Sequence, residues 1–368
     1  LMALTKVDTS MVESSGAFGR RNILINGDYS IYQRAQQVAT LGGSENYFTA
    51  DRWILNGALT SARLTMTAGT EDAPAESNVT TSLKLDCTTA DSSIGANEAL
   101  TIQQRVEGYN LQQVKKGTSG AKQLTASFWV KGNGSATYVL ELYDADNTRQ
   151  VSKSFSVTSS WTKVELTYPA DTTGAFGNDA NLSLYFQIFL SAGTTFTSGT
   201  LSETWTSITN ANRAAGISNF VSSTSNELYI TAVQLEVGDT ATEFEILSRG
   251  EKEKLCHRYY QKYAYGDLAS GSSDAGIFNG SMWATTLLYG MFYYPRGETR
   301  PAPTLTLSSA TDCTVFAGGS SSDTTSADFA DRTSYGCEVT LGTNQLTAGR
   351  GAWVRLKSGN FLEVDAEL

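Results

Sequence analysis

Histidine is almost missing from this sequence: His257 is the only one in 368 residues. A Ser-His-Asp or Cys-His apparatus would have to use it. It stands in a charged stretch with Cys256 beside it, and adjacent helix residues do not face one another. A solvated or packed histidine is the expectation, and a histidine-rich metal site is excluded by count. Cysteine is scarce as well. Cys87, Cys256, Cys313 and Cys337 show no CxxC spacing, which removes zinc ribbons and thioredoxin-like redox sites. For Cys313 and Cys337 two alternatives stand, a disulfide within the C-terminal part or free buried thiols. The glycine motifs that cradle nucleotide phosphates are absent, so no cofactor is expected. No apolar run reaches the ~18 residues of a membrane-crossing helix, and the opening segment lacks the apolar stretch of a secretory signal. Charge is thin, at 17% of residues, and acidic in balance, at −10. The one basic run, Lys115-Lys116, is too short to neutralise a phosphate backbone, so nucleic acid is not an expected partner.

What fills the chain instead is glycine, serine, threonine and alternating apolar residues, a composition suited to strands with neutral polar faces. Leu100, Ile102, Gln104 and Val106 share one register. Ser82–Cys87, Leu124–Lys131, Thr137–Tyr143, Leu182–Leu190 and Glu227–Leu235 read as further strands. Polar turns separate them, among them Asp144-Ala145-Asp146-Asn147, whose spacing fits a hairpin and not a calcium loop, since Arg149 and Phe155 stand where Gly and Glu are needed. Asn26-Gly27 is a tight-turn signal. Trp53 and Phe48 are candidate core residues, and Asp51-Arg52 reads as an ion pair or a solvated turn. Residues 191–225 form a long polar stretch around Trp205, the kind of elaborated loop on which binding surfaces lie.

One helix interrupts the strands. Ser248 with Glu251 three residues on is a capping box, and Leu255, Tyr259 and Tyr263 follow at helical spacing. The expected architecture is mainly β. A jelly-roll-like β-sandwich over 21–263 carries one short capped helix, 249–263, at its end. A linker at 264–271 and a second, smaller β-sandwich domain at 272–368 follow, with an N-terminal arm at 1–20 before them. Within the second domain Ser281–Pro295 is apolar on both alternating faces and reads as one strand, buried on both sides or facing a symmetry mate. Trp283, Tyr289 and Tyr293 fall in one register of it. They are the candidate receptor-binding residues, because aromatic faces stack on the C–H faces of sugar rings; the competing assignment is core or subunit interface.

Five segments in order, NILINGDYSIYQRA, FTADRW, QRVEGYNL, LTASFWVKG and QLEVGDTATEFEILSRGEKEKLCHRYYQK, resemble the β-sandwich module of bacteriophage tail fibre proteins. RPAPTLTL and the terminal VDAEL resemble the C-terminal module of such fibres. The resemblance implies a non-enzymatic virion component for host attachment. It implies a homotrimer, docked to a tail adaptor through residues 2–20, that binds a host cell-surface glycan in several copies at once. It supplies no catalytic or metal-binding residues. A capsid decoration or head-fibre protein, and a polysaccharide depolymerase, are the alternatives.

Overall fold

A computed structural model describes residues 20–265 and 275–368. The expected N-terminal arm and most of the expected linker lie outside the described residues. The chain divides into two compact units, one ending at Ser248 and one running Arg249–Glu367.

The first unit is a sandwich of two antiparallel sheets. One has the order β1 (Gln37–Leu41), β4 (Arg63–Thr70), β5 (Ser82–Thr89), β13 (Glu227–Val237), β7 (Leu124–Gly132), β10 (Thr162–Tyr168). The other runs β12 (Thr206–Ser207), β9 (Arg149–Val157), β8 (Ala136–Asp144), β11 (Leu182–Ala192), β6 (Ala99–Glu107), β3 (Ile54–Gly57), β2 (Glu45–Asn46). Alternation decides which side chains meet. Met66, Leu85, Phe128 and Ile230 from the first sheet and Ile102, Leu140, Phe186 and Ile188 from the second share one buried core. Gln104 stands in the apolar register of β6 without breaking it, because its amide accepts from Ile25 N (2.7 Å) and donates to Ile25 O (2.8 Å). A buried amide satisfied at both ends costs little.

The segment around Asn26-Gly27 closes one edge of this core. Asn26 adopts φ 57°, and Tyr29 N donates to Asn26 O at 3.0 Å, the turn expected there. Its side chain binds Ile31 O and Asp51 O, and its carbonyl accepts from Trp53 Nε1 at 2.9 Å. Trp53 is fully buried, 4.9 Å from the Tyr29 ring and edge-on to Phe186. The β13 strand bulges between Thr231 and Gln234 to receive the segment. Any side chain at Gly27 would put its Cβ 2.1 Å from Val233 O, so only glycine fits. Asp51 and Arg52 are both buried and not a solvated turn. The Asp51 carboxylate accepts from Gln33 N and Nε2, and Arg52 Nη2 donates to Arg105 O.

The Asp144–Asn147 turn is the hairpin between β8 and β9. Its first carboxylate reaches inward. Lys116 Nζ is caged by Asp144 Oδ2 at 2.6 Å, Asp171 Oδ2 at 3.0 Å, Thr173 O at 2.8 Å and Gly174 O at 2.9 Å.

The second unit opens with a helix, Arg249–His257. The helix is shorter than expected and groups with the second unit, not the first. Residues Tyr260–Ala264 leave the helix and pair as strand β14 with β23 (Phe361–Asp365), which also pairs with β17 (Thr304–Leu307). Three tyrosines within five residues favour a pleated surface, and Tyr259, Tyr260 and Tyr263 are buried there. This three-stranded sheet shares a core with a seven-stranded antiparallel one. The order of the larger sheet is β19 (Ser320–Asp323), β18 (Cys313–Ala317), β22 (Gly351–Leu356), β15 (Ala275–Ala284), β16 (Leu287–Tyr293), β21 (Gly336–Gly342), β20 (Ser326–Ala330). The architecture is the mainly β one expected, sandwich followed by smaller sandwich.

All four cysteines are free and buried. Cys313 and Cys337 sit on β18 and β21, four strand spacings or about 19 Å apart, far beyond disulfide reach.

Candidate functional site

Ser281–Pro295 is a hairpin, not one strand. β15 and β16 turn on Thr285-Thr286 and pair with Ser281 opposite Tyr289 and Gly280 opposite Gly290. Both glycines lie where backbones nearly touch: a Cβ on Gly280 would stand 2.4 Å from Tyr289 O. Ala284 pairs Leu287 across the turn, and a bulge between Met282 and Ala284 then brings odd residues opposite odd ones, so Trp283, Tyr289 and Tyr293 share one face. Phe278, Met282, Leu288 and Phe292 take the opposite face and enter the core.

That outward face is apolar and wet. Trp283 is 77% exposed, Tyr293 68% and Tyr289 40%. The Trp283 and Tyr289 rings meet edge-to-face at 6.1 Å. Sequence reasoning missed the rest of the surface. Trp353 on β22 projects to the same side as its inward neighbours Ala352 and Val354 point away, and Met291 does likewise on β16. Register brings Phe316, Trp353, Asn279, Met291 and Glu338 into one row across five neighbouring strands. The Phe316 and Trp353 rings lie 5.0 Å apart, and the Arg355 guanidinium sits over both, 4.6 Å and 4.0 Å from their centroids. Trp353 was findable only in part. The alternation of Ala352–Leu356 is visible in sequence, but its place beside Asn279 depends on pairing across 74 positions.

Nothing at this face suggests chemistry. Among the described residues no group of three or more His, Cys, Asp or Glu could hold a metal ion. His257 is packed: burial and the nearby Arg296 guanidinium push its imidazole down to about 4, against the pull of Glu253.

No family model and no curated protein matches the chain. Solved structures do. A family 11 carbohydrate-binding module from Clostridium thermocellum, in complex with a β-1,3-1,4-mixed-linked tetrasaccharide, is 10% identical over 56% of this chain and 99% of its own, with a TM-score of 0.26. The CBM22-1 xylan-binding domain of Paenibacillus barcinonensis Xyn10C is 11% identical over 61% of this chain and 100% of its own, at 0.27. The tandem CBM22-1–CBM22-2 of the same protein covers 92% of this chain and 99% of its own, at 10% identity and 0.26. Likenesses this loose transfer neither ligand nor residue.

The expectation of a phage tail fibre is corrected to this extent: the structures matched are carbohydrate-binding modules, and at these TM-scores they assign the chain no role. The virion location, the tail adaptor bound through residues 2–20, the homotrimer and the head-fibre alternative rested on that resemblance and are not carried forward. The physical reason is visible in the motifs that carried the resemblance. Ile23, Ile25, Asn26, Tyr29, Ala50, Asp51 and Trp53 are all buried. Such residues specify how a sandwich closes on its own first segment.

Proposed function

We propose that this chain is a non-catalytic glycan-binding protein, and that the outward face of the seven-stranded sheet in its second unit is the binding platform. The observation that carries this reading is the exposed aromatic set Trp283, Tyr289, Tyr293 and Trp353 on a single sheet face. Monomeric proteins rarely leave so much contiguous apolar surface in water without a partner for it. Aromatic faces present negative charge to the polarised C–H groups of a pyranose. Asn279, Ser281 and Thr340 share the face and offer hydrogen bonds to hydroxyls between the rings. Phe316 on β18 and Tyr289 on β16 lie three strand spacings apart, about 14 Å. That span suits an extended saccharide chain lying across the strands more than a single sugar.

The test is affinity electrophoresis of the full chain in gels containing galactan, xylan or mixed-linked glucan, followed by titration calorimetry on whichever retards it. Trp283→Ala, Tyr293→Ala and Trp353→Ala should each weaken binding at least tenfold, about 1.4 kcal/mol, with unchanged thermal unfolding. Retardation that survives all three substitutions would remove the platform from consideration.

A further inference from the structure

The first unit carries a cavity of its own, apart from the aromatic face of the second unit. The long polar stretch that follows β11 folds over the outer face of the β8–β11–β6–β3 sheet, where Phe196, Ala214 and Ile217 pack on Val139 and Phe189. Beside this patch is an open cavity of about 160 Å³ whose lining includes Asn56, Asn97, Gln103, Gln187, Phe196 and Arg213. Cavities of about 150 Å³ hold one six-membered ring.

The lining states what kind of ring. Four side-chain amides supply donors and acceptors without charge. Gln103 is 3% exposed; its Nε2 donates to Thr101 Oγ1 at 2.7 Å, and its Oε1 has no hydrogen-bond partner. A buried acceptor left unmatched is costly, and a rotation of the amide presents it to a ligand hydroxyl. The one cation in the lining is already committed. Arg213 binds the fully buried Glu141 through Nη2–Oε2 at 2.7 Å and Nε–Oε1 at 3.0 Å, and Gln187 Nε2 donates to the same carboxylate. Drawing Arg213 toward an anionic ligand would strand Glu141 as an unpaired buried charge. Phe189 and Phe196 close one side, their ring centroids 6.3 Å apart and the rings tilted by 40°.

We infer that this cavity takes a single neutral polyhydroxylated ring, a pyranose residue, and rejects its carboxylate- or phosphate-bearing counterparts. Saturation-transfer NMR tests this on the full chain carrying Trp283→Ala and Tyr293→Ala, so the platform is disabled from the outset and its failure is read separately. The neutral probes are D-glucose, D-galactose and D-xylose; the anionic ones are D-glucuronate and inorganic phosphate. Transfer to at least one neutral sugar is expected, falling at least tenfold on adding Gln103→Leu or Asn97→Ala. Asn97 is exposed, so its variant folds even where Gln103→Leu does not. No transfer to any neutral probe, transfer untouched by Asn97→Ala, or stronger binding of the anions overturns the assignment.

Discussion

Lys116 Nζ lies 2.6 Å from Asp144 Oδ2, and both side chains are shut away from water. The ammonium holds two carboxylates and two carbonyls together where three segments of the first unit, around Lys116, Asp144 and Asp171–Gly174, converge. Removing one member of a buried ion pair leaves the others uncompensated. Lys116→Met is therefore expected to destabilise the first unit by ~3–5 kcal/mol, read from urea unfolding. A loss under 1 kcal/mol would mean that Arg149, 2.7 Å from Asp171, neutralises the site alone.

The same cluster sets an acid limit. Burial by itself would raise the Asp171 carboxyl, but hydrogen bonds from Arg149 and Lys116 outweigh it and hold the group below the usual range. The folded chain thus keeps this carboxylate ionised where the unfolded chain protonates it. Its contribution is complete above about pH 4 and is lost as pH falls through the depressed folded value.

His257 acts in a higher window. The folded imidazole takes its proton only near 4, against 6.5 for the unfolded chain. Between these values the unfolded state binds more protons, so stability declines as pH is lowered across the window. Calorimetry from pH 7 to pH 4.5 should show a shallower decline in Tm for His257→Gln than for the parent. Equal slopes would show that the imidazole is solvated.

Opposite faces of the β15–β16 hairpin should answer differently to alanine. Phe292 packs 5.5 Å from Tyr263, 6.0 Å from Phe278 and 5.8 Å from Tyr294, and Phe292→Ala is expected to cost ~3–5 kcal/mol. Trp283→Ala removes an exposed ring and should stay within ~0.5 kcal/mol. Guanidinium unfolding compares them directly, and a Trp283→Ala loss as large as that of Phe292→Ala would make Trp283 part of the core.

Thiol chemistry gives an independent check of the second core. Burial pushes the Cys313 thiol up to about 12 and Cys337 up to about 11, so neither offers a thiolate at pH 8. Both should resist an aromatic disulfide reagent in the native protein and react at once in denaturant. Fast reaction of either in the native state would place it at the surface.

Alternation made the strands legible. The register Leu100, Ile102, Gln104, Val106 reads directly as the inward face of β6, even with a glutamine in it. The helix start was legible at Arg249, but its end was not. Tyr259 and Tyr263 satisfy helical spacing as well as strand alternation does, and pairing with residues 361–365, a hundred positions away, decided between them. The hairpin within 281–295 escaped notice because Thr285-Thr286 carries none of the Gly or Asn signals of tight turns. The three candidate aromatics were found by parity, which survives the hairpin because a bulge between Met282 and Ala284 offsets the two-residue turn. Trp353 and Phe316 were not, since only long-range register sets them alongside. The family resemblance said little about function because many of its motif residues, Ile23, Asn26, Tyr29, Asp51 and Trp53 among them, are buried, and an interior describes a scaffold without naming what the scaffold meets.

The pleat of the β15–β16 hairpin gives every second residue to solvent and every other one to the interior. Substitutions at 283, 289, 291 and 293 can therefore accumulate without disturbing 282, 288 and 292. On the proposed reading, a lineage carrying this fold can change the surface it offers a glycan one position at a time, each intermediate remaining a folded protein.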